Sequence, residues 1–174
     1  MIFVILTIVI IITIIASILY NLNDKLNYYK IRVDKVEKQI EDELDNRYNI
    51  VKDIQKTIEK STKKELKIYK DLDELKNKKT ISTIEYDKLL NELIEMIYLI
   101  ETDYPKISKK KEFKETVLKL NDSNTIIKAA KTFYNSNNKE LIKLLKKFPT
   151  SMLGKLKKIN IQPNYNIEID NEEE

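Results

Sequence analysis

Residues 2–20 form an uninterrupted apolar run with no charged residue, no glycine and no proline. At 1.5 Å rise per residue, a helix of this length spans roughly 28 Å, close to the ~30 Å hydrocarbon core of a bilayer. A helix on the surface of a soluble core would carry a polar face, and this run has none. The sequence therefore predicts a single-pass transmembrane anchor over residues 1–20.

A cleaved signal peptide is the alternative for this run. Such a peptide has a basic region before a shorter apolar stretch and ends in small residues of the A-x-A type. Here no basic side chain precedes the run, and it ends in Ala16-Ser17-Ile18-Leu19-Tyr20. These departures favour a retained anchor, and the absence of cysteine excludes attachment through a lipidated cysteine.

The charges that flank the run predict its orientation. Basic residues near a span favour the cytoplasmic side of the membrane. None precedes the run, whereas several follow within about 18 residues, a distance at which the rule applies: Lys25, Lys30, Arg32, Lys35 and Lys38. We expect a cell-membrane protein with its N-terminus outside and its helical domain in the cytoplasm.

The composition excludes several kinds of catalytic and binding site. The chain has no histidine, cysteine or tryptophan and a single glycine. Zinc and haem sites built from His or Cys, the Ser-His-Asp triad and glycine-rich phosphate loops are therefore excluded. Glu92 and Glu95 have the spacing of a di-iron motif without its histidine. We predict no catalytic residue, no metal and no cofactor; an enzyme built from Asp, Glu, Lys, Tyr and Ser stays an alternative that no spacing supports.

Apolar residues recur at helical spacing along the rest of the chain. Steps of three and four from Leu22 to Ile58 form a heptad-like seam, typical of a coiled coil, that continues out of the anchor, with a kink expected near Ser61 and Thr62. A break is expected at residues 77–80. Ser82 and Glu85 then form a capping-box pattern before a second apolar stripe that ends at Tyr104-Pro105.

A third stripe runs from Phe113 to Phe148, where Pro149 stops it. Asn124 and Asn138 lie on its seam, where they either set helix register or form a polar ligand-binding pair. Amphipathic helices bury their apolar stripes against other helices, so we predict an all-α fold. In it the transmembrane helix continues into an antiparallel bundle of three to four long helices over residues 21–158. Residues 159–174 are expected to be an acidic, disordered tail.

Four short stretches, taken in order, resemble the LemA family. They are Tyr20-Asn21-Leu22, the segment from Ile40 to Ile50, the Glu-x-x-Tyr-Pro block at residues 101–105 with a later Phe, and the Ala130-Lys131 block followed by Phe-Pro. The positions that carry the resemblance are Tyr20, Asn21, Ile40, Leu44, Arg47, Glu101, Tyr104, Pro105, Phe113, Tyr134, Asn135, Phe148 and Pro149.

The resemblance implies one N-terminal membrane helix, a helical cytoplasmic domain and no established catalytic activity. The chain departs from the family pattern at several polar positions. Asn124 stands where the family has Glu, Arg47 is what remains of a double Arg, and Leu141-Ile142 replaces a second Tyr-Asn pair.

Charge is segregated along the chain. Residues 105–158 hold 15 basic and 4 acidic residues, whereas residues 159–174 hold five acids and no base. Our first hypothesis, based on the anchor, the long amphipathic helices and the missing catalytic residue types, is a non-enzymatic, membrane-anchored scaffold or adaptor with an unknown protein partner. A homo-oligomer is a further alternative.

The alternative is binding of anionic lipid headgroups by the basic segment 105–158, through Lys146, Lys147, Lys155, Lys157 and Lys158. Nucleic acid is the weaker ligand for that segment, because no nucleic-acid-binding motif is present. Pairing of the basic segment with acids of the first helix is the competing structural explanation.

Overall fold

The computed structural model describes residues 1–62 and 81–166. Within these ranges it contains five helices and no strand, which confirms the all-α prediction. The helices are α1 (Ile2–Thr62), α2 (Thr83–Asp103), α3 (Pro105–Ser108), α4 (Lys111–Leu145) and α5 (Thr150–Leu156). The break expected at residues 77–80 lies outside the described residues, and α1 is described only as far as the expected kink.

The helix boundaries follow the local sequence signals. The backbone N–H of Glu85 donates to the Ser82 hydroxyl at 3.3 Å, so this half of the predicted capping box is confirmed at the start of α2. Pro105 ends α2 and begins the single turn of α3, a position where its missing N–H costs nothing. Helix α4 ends at Leu145, and Pro149 immediately precedes α5.

The central unit comprises residues Lys38–Lys131. Helix α4 runs antiparallel to α2 in it, because Lys131 contacts Asp87 whereas Tyr98 contacts Asn121. The apolar seams meet in its core, where the largest fully buried side chains are Ile40, Leu44, Ile54, Ile58, Leu90, Ile97, Phe113 and Leu120. The seam predicted from the period of the sequence is therefore the one that is buried.

The terminal unit comprises Met1–Glu37 and Thr132–Glu174, described as far as residue 166. Its part of α4 runs antiparallel to α1: the Arg32 guanidinium lies 4.9 Å from the Phe133 ring centre. Further along α4, the pKa of the Glu140 carboxyl is lowered by its hydrogen bond to Lys143 and, to a smaller degree, by the charges of Lys139 and Lys25. Leu26, Val33, Val36, Tyr134 and Leu141 are buried in this unit.

The expectation about the end of the third apolar stripe is corrected. Phe148 was placed on the buried seam, but its side chain is 79% exposed because α4 has already ended at Leu145. The tail predicted as disordered begins at residue 159; residues 159–166 are described without helix or strand, and Tyr165 among them is only 3% exposed. Composition predicted disorder there, whereas one aromatic anchor and two asparagines on α4 hold the segment. Residues 167–174 lie outside the described residues.

Candidate functional site

A buried group of ionised side chains joins three helices of the central unit. Arg47 of α1, Asp87 of α2 and Lys131 of α4 are 3%, 5% and 6% exposed. The Lys131 ammonium lies 2.6 Å from Oδ2 of Asp87, and Nη1 of Arg47 lies 3.5 Å from Oδ1 of the same carboxylate. One carboxylate therefore faces a cation from each of the two neighbouring helices.

Two asparagines extend this group. The second terminal nitrogen of Arg47 donates to Oδ1 of Asn91 at 2.9 Å and to Oδ1 of Asn124 at 2.6 Å. The Asn124 amide in turn donates to the Tyr98 hydroxyl at 3.1 Å. We call Arg47, Asp87, Asn91, Asn124 and Lys131 the buried polar cluster.

The buried polar cluster links three helices of the central unit. Burial of each ion costs several kcal/mol, which mutual attraction and hydrogen bonds offset when the geometry is satisfied. Because the Asp87 carboxylate is covered by two cations, a solvent molecule or substrate does not reach it without displacing one of them. The arrangement therefore fixes the register of α1, α2 and α4 against one another.

Sequence reasoning missed Asp87 and Asn91. A signal for Asp87 was present: Asp87, Leu90, Ile94 and Ile97 follow steps of three and four, so the acid lies on the buried seam of α2. Asn91 lies one helical turn after Asp87, a spacing that places both side chains on the same side of α2. A charged residue on an apolar seam is the pattern that predicts a buried ion pair.

Two tyrosine hydroxyls lie in environments that oppose ionisation. Burial, followed by the nearby charges of Asp45 and Tyr48, raises the pKa of Tyr86 above its usual value in the central unit. The Tyr86 hydroxyl is buried without a hydrogen-bond partner. In the terminal unit, burial and then the charges of Glu37 and Asp34 raise the pKa of Tyr134 to about 12.

A second group of polar side chains, in the terminal unit, binds residues 162–165. The Asn135 side chain donates to the carbonyl oxygen of Tyr165 and accepts from the N–H of Tyr165, both at 2.8 Å. Asn138, 1% exposed, donates to the carbonyl oxygen of Gln162 at 2.9 Å and to Oδ1 of Asn164 at 2.8 Å. The Tyr165 ring packs edge-on against Tyr134, with ring centres 4.9 Å apart. We call this place on Tyr134, Asn135 and Asn138 the tail site.

The asparagines noted on the seam of α4 therefore have separate roles. Asn124 belongs to the buried polar cluster in the central unit, and Asn138 belongs to the tail site in the terminal unit. The hypothesis of a single ligand-binding asparagine pair was wrong. Beside Asn138, an open groove of about 220 Å³ is lined by Asp34, Glu37 and Lys158, among others.

The surface of the terminal unit carries an apolar and basic patch next to α1. Phe148, Met152 and Leu156 are 79%, 56% and 79% exposed. The lysines singled out from the sequence are exposed as well: Lys146, Lys147, Lys155, Lys157 and Lys158. The Lys157 ammonium donates to Oδ1 of Asn27 at 2.5 Å, so the patch lies against the part of α1 that closely follows the apolar run.

The apolar run itself is the exposed first part of α1. Its most apolar window has a mean hydropathy of 3.3 and buries none of its residues within the protein. It is the one helix, among the described residues, that is long and apolar enough to span a membrane. This part of α1 is therefore a candidate membrane anchor.

The sequence of the chain matches the model of the LemA family over residues 36–174. The chain belongs to the LemA family. The resemblance inferred from the ordered motifs is thus confirmed, and the match also includes the segment that occupies the tail site. No curated protein matches this LemA family member.

The motif positions of this LemA family member are distributed among several environments. Ile40, Leu44, Arg47, Phe113 and Tyr134 are buried, and Asn135 binds the main chain of Tyr165. The exposed motif positions are Tyr20, Asn21, Tyr104 and Phe148. Pro105 begins α3 and Pro149 precedes α5. The side chain of Glu101 lies outside the described residues.

Two of the positions noted as departures from the family pattern, Arg47 and Asn124, meet in the buried polar cluster. Asn124 and Lys131 both lie on α4 and contact Arg47 and Asp87, respectively. A polar site thus exists at these positions with altered residues. Among residues 1–62 and 81–166, no group of three His, Cys, Asp or Glu side chains is placed to hold a metal ion.

Proposed function

We propose that the protein is a non-enzymatic, single-pass membrane scaffold or adaptor with its N-terminus outside and its helical domain in the cytoplasm. One observation carries the proposal: α1 is a continuous helix whose first part is apolar and exposed and whose later part forms the domain core. The anchor and the domain therefore share one helix. The buried polar cluster supports the proposal because its ions link helices instead of lining an open site.

The orientation rests on the charges next to the span. The basic residues that follow residue 20 are retained on the cytoplasmic side by the positive-inside rule. Reporter fusions at residue 174 should be active when the reporter requires the cytoplasm and inactive when it requires export. The opposite pattern would reverse the proposed topology.

The anchor is tested by charges placed in the span. Ile8→Lys with Ile12→Lys introduces two ammonium groups that each cost about 2.5–3.5 kcal/mol at the centre of a membrane helix. We expect this variant to leave the carbonate-resistant membrane fraction. The matched control is Leu118→Lys with Ile126→Lys, since both side chains are exposed apolar residues of α4. If both double variants stay in the membrane fraction, residues 2–20 are not the anchor.

A scaffold requires a partner, and crosslinking from membranes identifies one. The intact chain should capture the same protein before and after the span is replaced by another apolar span. Retention of the partner would assign recognition to the helical domain. Loss of every partner on replacement would place recognition in the span and contradict a scaffold role for the domain.

Anionic lipid binding is the second candidate function, and the patch on the terminal unit favours it. Exposed apolar side chains at Phe148, Met152 and Leu156 are interleaved with exposed lysines. Because Lys157 contacts Asn27, about seven residues beyond the end of the apolar run, the patch lies within ~11 Å of that end along α1. At an anionic surface each lysine contributes about 1 kcal/mol.

Lipid contact is measurable in the full chain because the protein has no native cysteine. A polarity-sensitive dye on Met152→Cys should shift to the blue in nanodiscs with acidic lipid and not in neutral ones, and added salt should reverse the shift. Changing Lys146, Lys147, Lys157 and Lys158 to Gln should abolish the shift. The matched control changes Lys106, Lys109, Lys114 and Lys119 to Gln, with the same loss of charge. Equal shifts for the two quadruple variants would exclude lipid binding by the patch.

A further inference from the structure

The tail site recognises the main chain of the segment that occupies it. Asn135 forms two hydrogen bonds to one residue, one to the N–H and one to the C=O of Tyr165. This pair reproduces what a neighbouring β-strand offers to an extended peptide, and it does not depend on the side chain of the recognised residue. Asn138 binds a second main-chain carbonyl three residues earlier, at Gln162.

One side chain of the segment supplies specificity. The Tyr165 ring is 3% exposed and lies edge-on to Tyr134, at an angle of 81° between the rings. Aromatic pairs in this geometry stabilise beyond the area they bury. Asn164 adds a side-chain contact to Asn138, and Pro163 lacks an N–H that would need a partner. The site therefore fits an extended Gln-Pro-Asn-Tyr segment.

The segment that occupies the tail site, residues 159–166, carries no charged side chain. Tyr134, Asn135 and Asn138 contact the segment through hydrogen bonds and a ring pair. This distinguishes the tail site from the basic patch, whose lipid binding would weaken in salt. Binding at the tail site should therefore persist at high ionic strength.

We propose that the tail site is a peptide-recognition site that also accepts residues 160–165 of a second copy of this chain in place of its own. The segment follows α5 without helix or strand, so the identical segment of a second copy can make the same contacts. Exchange of an identical element between copies adds no new interface and is a low-cost route to a dimer. The proposal goes beyond the scaffold function and does not require it.

The first test uses the full chain in detergent micelles and a fluorescent peptide of residues 159–166. Tyr165→Ala weakens the internal occupant, so this variant should bind the peptide, whereas the unaltered chain should bind it at least about tenfold more weakly because its own segment competes at high effective concentration. Adding Asn135→Ala should weaken binding by a further factor of about ten, since two hydrogen bonds are lost.

The matched control adds Asn137→Ala to Tyr165→Ala. Asn137 lies on the same helix and donates to the carbonyl of Phe133, away from the tail site. Circular dichroism verifies that each variant remains helical. The control should bind the peptide like Tyr165→Ala alone. Equal losses for the Asn135 and Asn137 variants, or no binding by Tyr165→Ala, would overturn the recognition site.

The second test preserves the aromatic anchor and identifies the source of the segment. Benzoylphenylalanine replaces Tyr165 in one tagged copy, which is reconstituted with an unmodified, differently tagged copy. Illumination should yield crosslinks between the two copies, and Asn135→Ala in the acceptor copy should remove them. Crosslinks confined to single chains would overturn exchange with a second copy, and a complete absence of crosslinks would overturn the tail site itself.

Discussion

Replacing Asp87 by Asn should be among the most destabilising single changes in the central unit. Asn has the shape of Asp but no charge, so the variant leaves the Lys131 ammonium 2.6 Å from an amide in a buried site. Removal of one partner from a buried ion pair costs about 3–5 kcal/mol. With a slope of about 2 kcal/mol per molar urea, the unfolding midpoint should fall by roughly 2 M. Urea titration of the full chain in micelles, followed by far-ultraviolet circular dichroism, measures this shift.

The control for Asp87→Asn is Asp53→Asn. Asp53 also pairs with a lysine, at 2.9 Å from Lys56, but both side chains are more than half exposed. Exposed pairs contribute less than about 1 kcal/mol, so this variant should unfold near the parent midpoint. The double variant Asp87→Asn, Lys131→Met should cost less than the sum of the two single variants, because it removes a buried cation with its carboxylate. Equal costs for the Asp87 and Asp53 variants would refute the argument.

Three further outcomes are expected. Leu141→Ala, at a 2% exposed position, should lower the free energy of unfolding by about 2–5 kcal/mol, whereas Leu118→Ala on the same helix, 62% exposed, should change it little in the same urea titration. Tyr86→Phe should not destabilise the protein at neutral pH, because the hydroxyl it removes is buried without a hydrogen-bond partner; a loss above about 1 kcal/mol would contradict this. Because the pKa of Tyr134 is raised to about 12, the stabilisation that comes from this raised pKa is complete below pH ~10, the usual tyrosine pKa, and is lost as the pH rises towards 12. Tyr134→Phe should make this loss of stability at high pH smaller. The same variant should remove part of the tyrosinate absorbance that the folded chain gains above the usual tyrosine pKa.

The helical elements were largely predictable because their signals are local. The apolar run, the seam from Leu26 to Ile58 and the start of α2 after Ser82 each depend on residues within one or two turns. Pro105 and Pro149 likewise mark boundaries through their own missing N–H groups. Phe148 was misplaced because a period in sequence does not indicate the residue at which a helix stops.

The candidate sites were predictable only in part. Arg47, Tyr134 and Asn135 were identified through the family resemblance, but their partners Asp87 and Tyr165 are 40 and 30 residues away in sequence. No local pattern pairs residues at such separations. The polar composition of residues 159–166 predicted disorder. Composition contains no information about the two asparagine side chains of α4 that form hydrogen bonds with the main chain of this segment.

The sequence by itself determined that the chain has a candidate membrane anchor, that its domain is helical and which faces of its helices are apolar. Helical period and hydropathy are properties of neighbouring residues, so the sequence contains them directly. The tertiary structure alone decided that Asp87 meets Arg47 and Lys131 and that Tyr165 packs on Tyr134. These contacts depend on the order and direction in which the helices pack, and ions and amides are buried only where that packing brings a complementary group within hydrogen-bond distance.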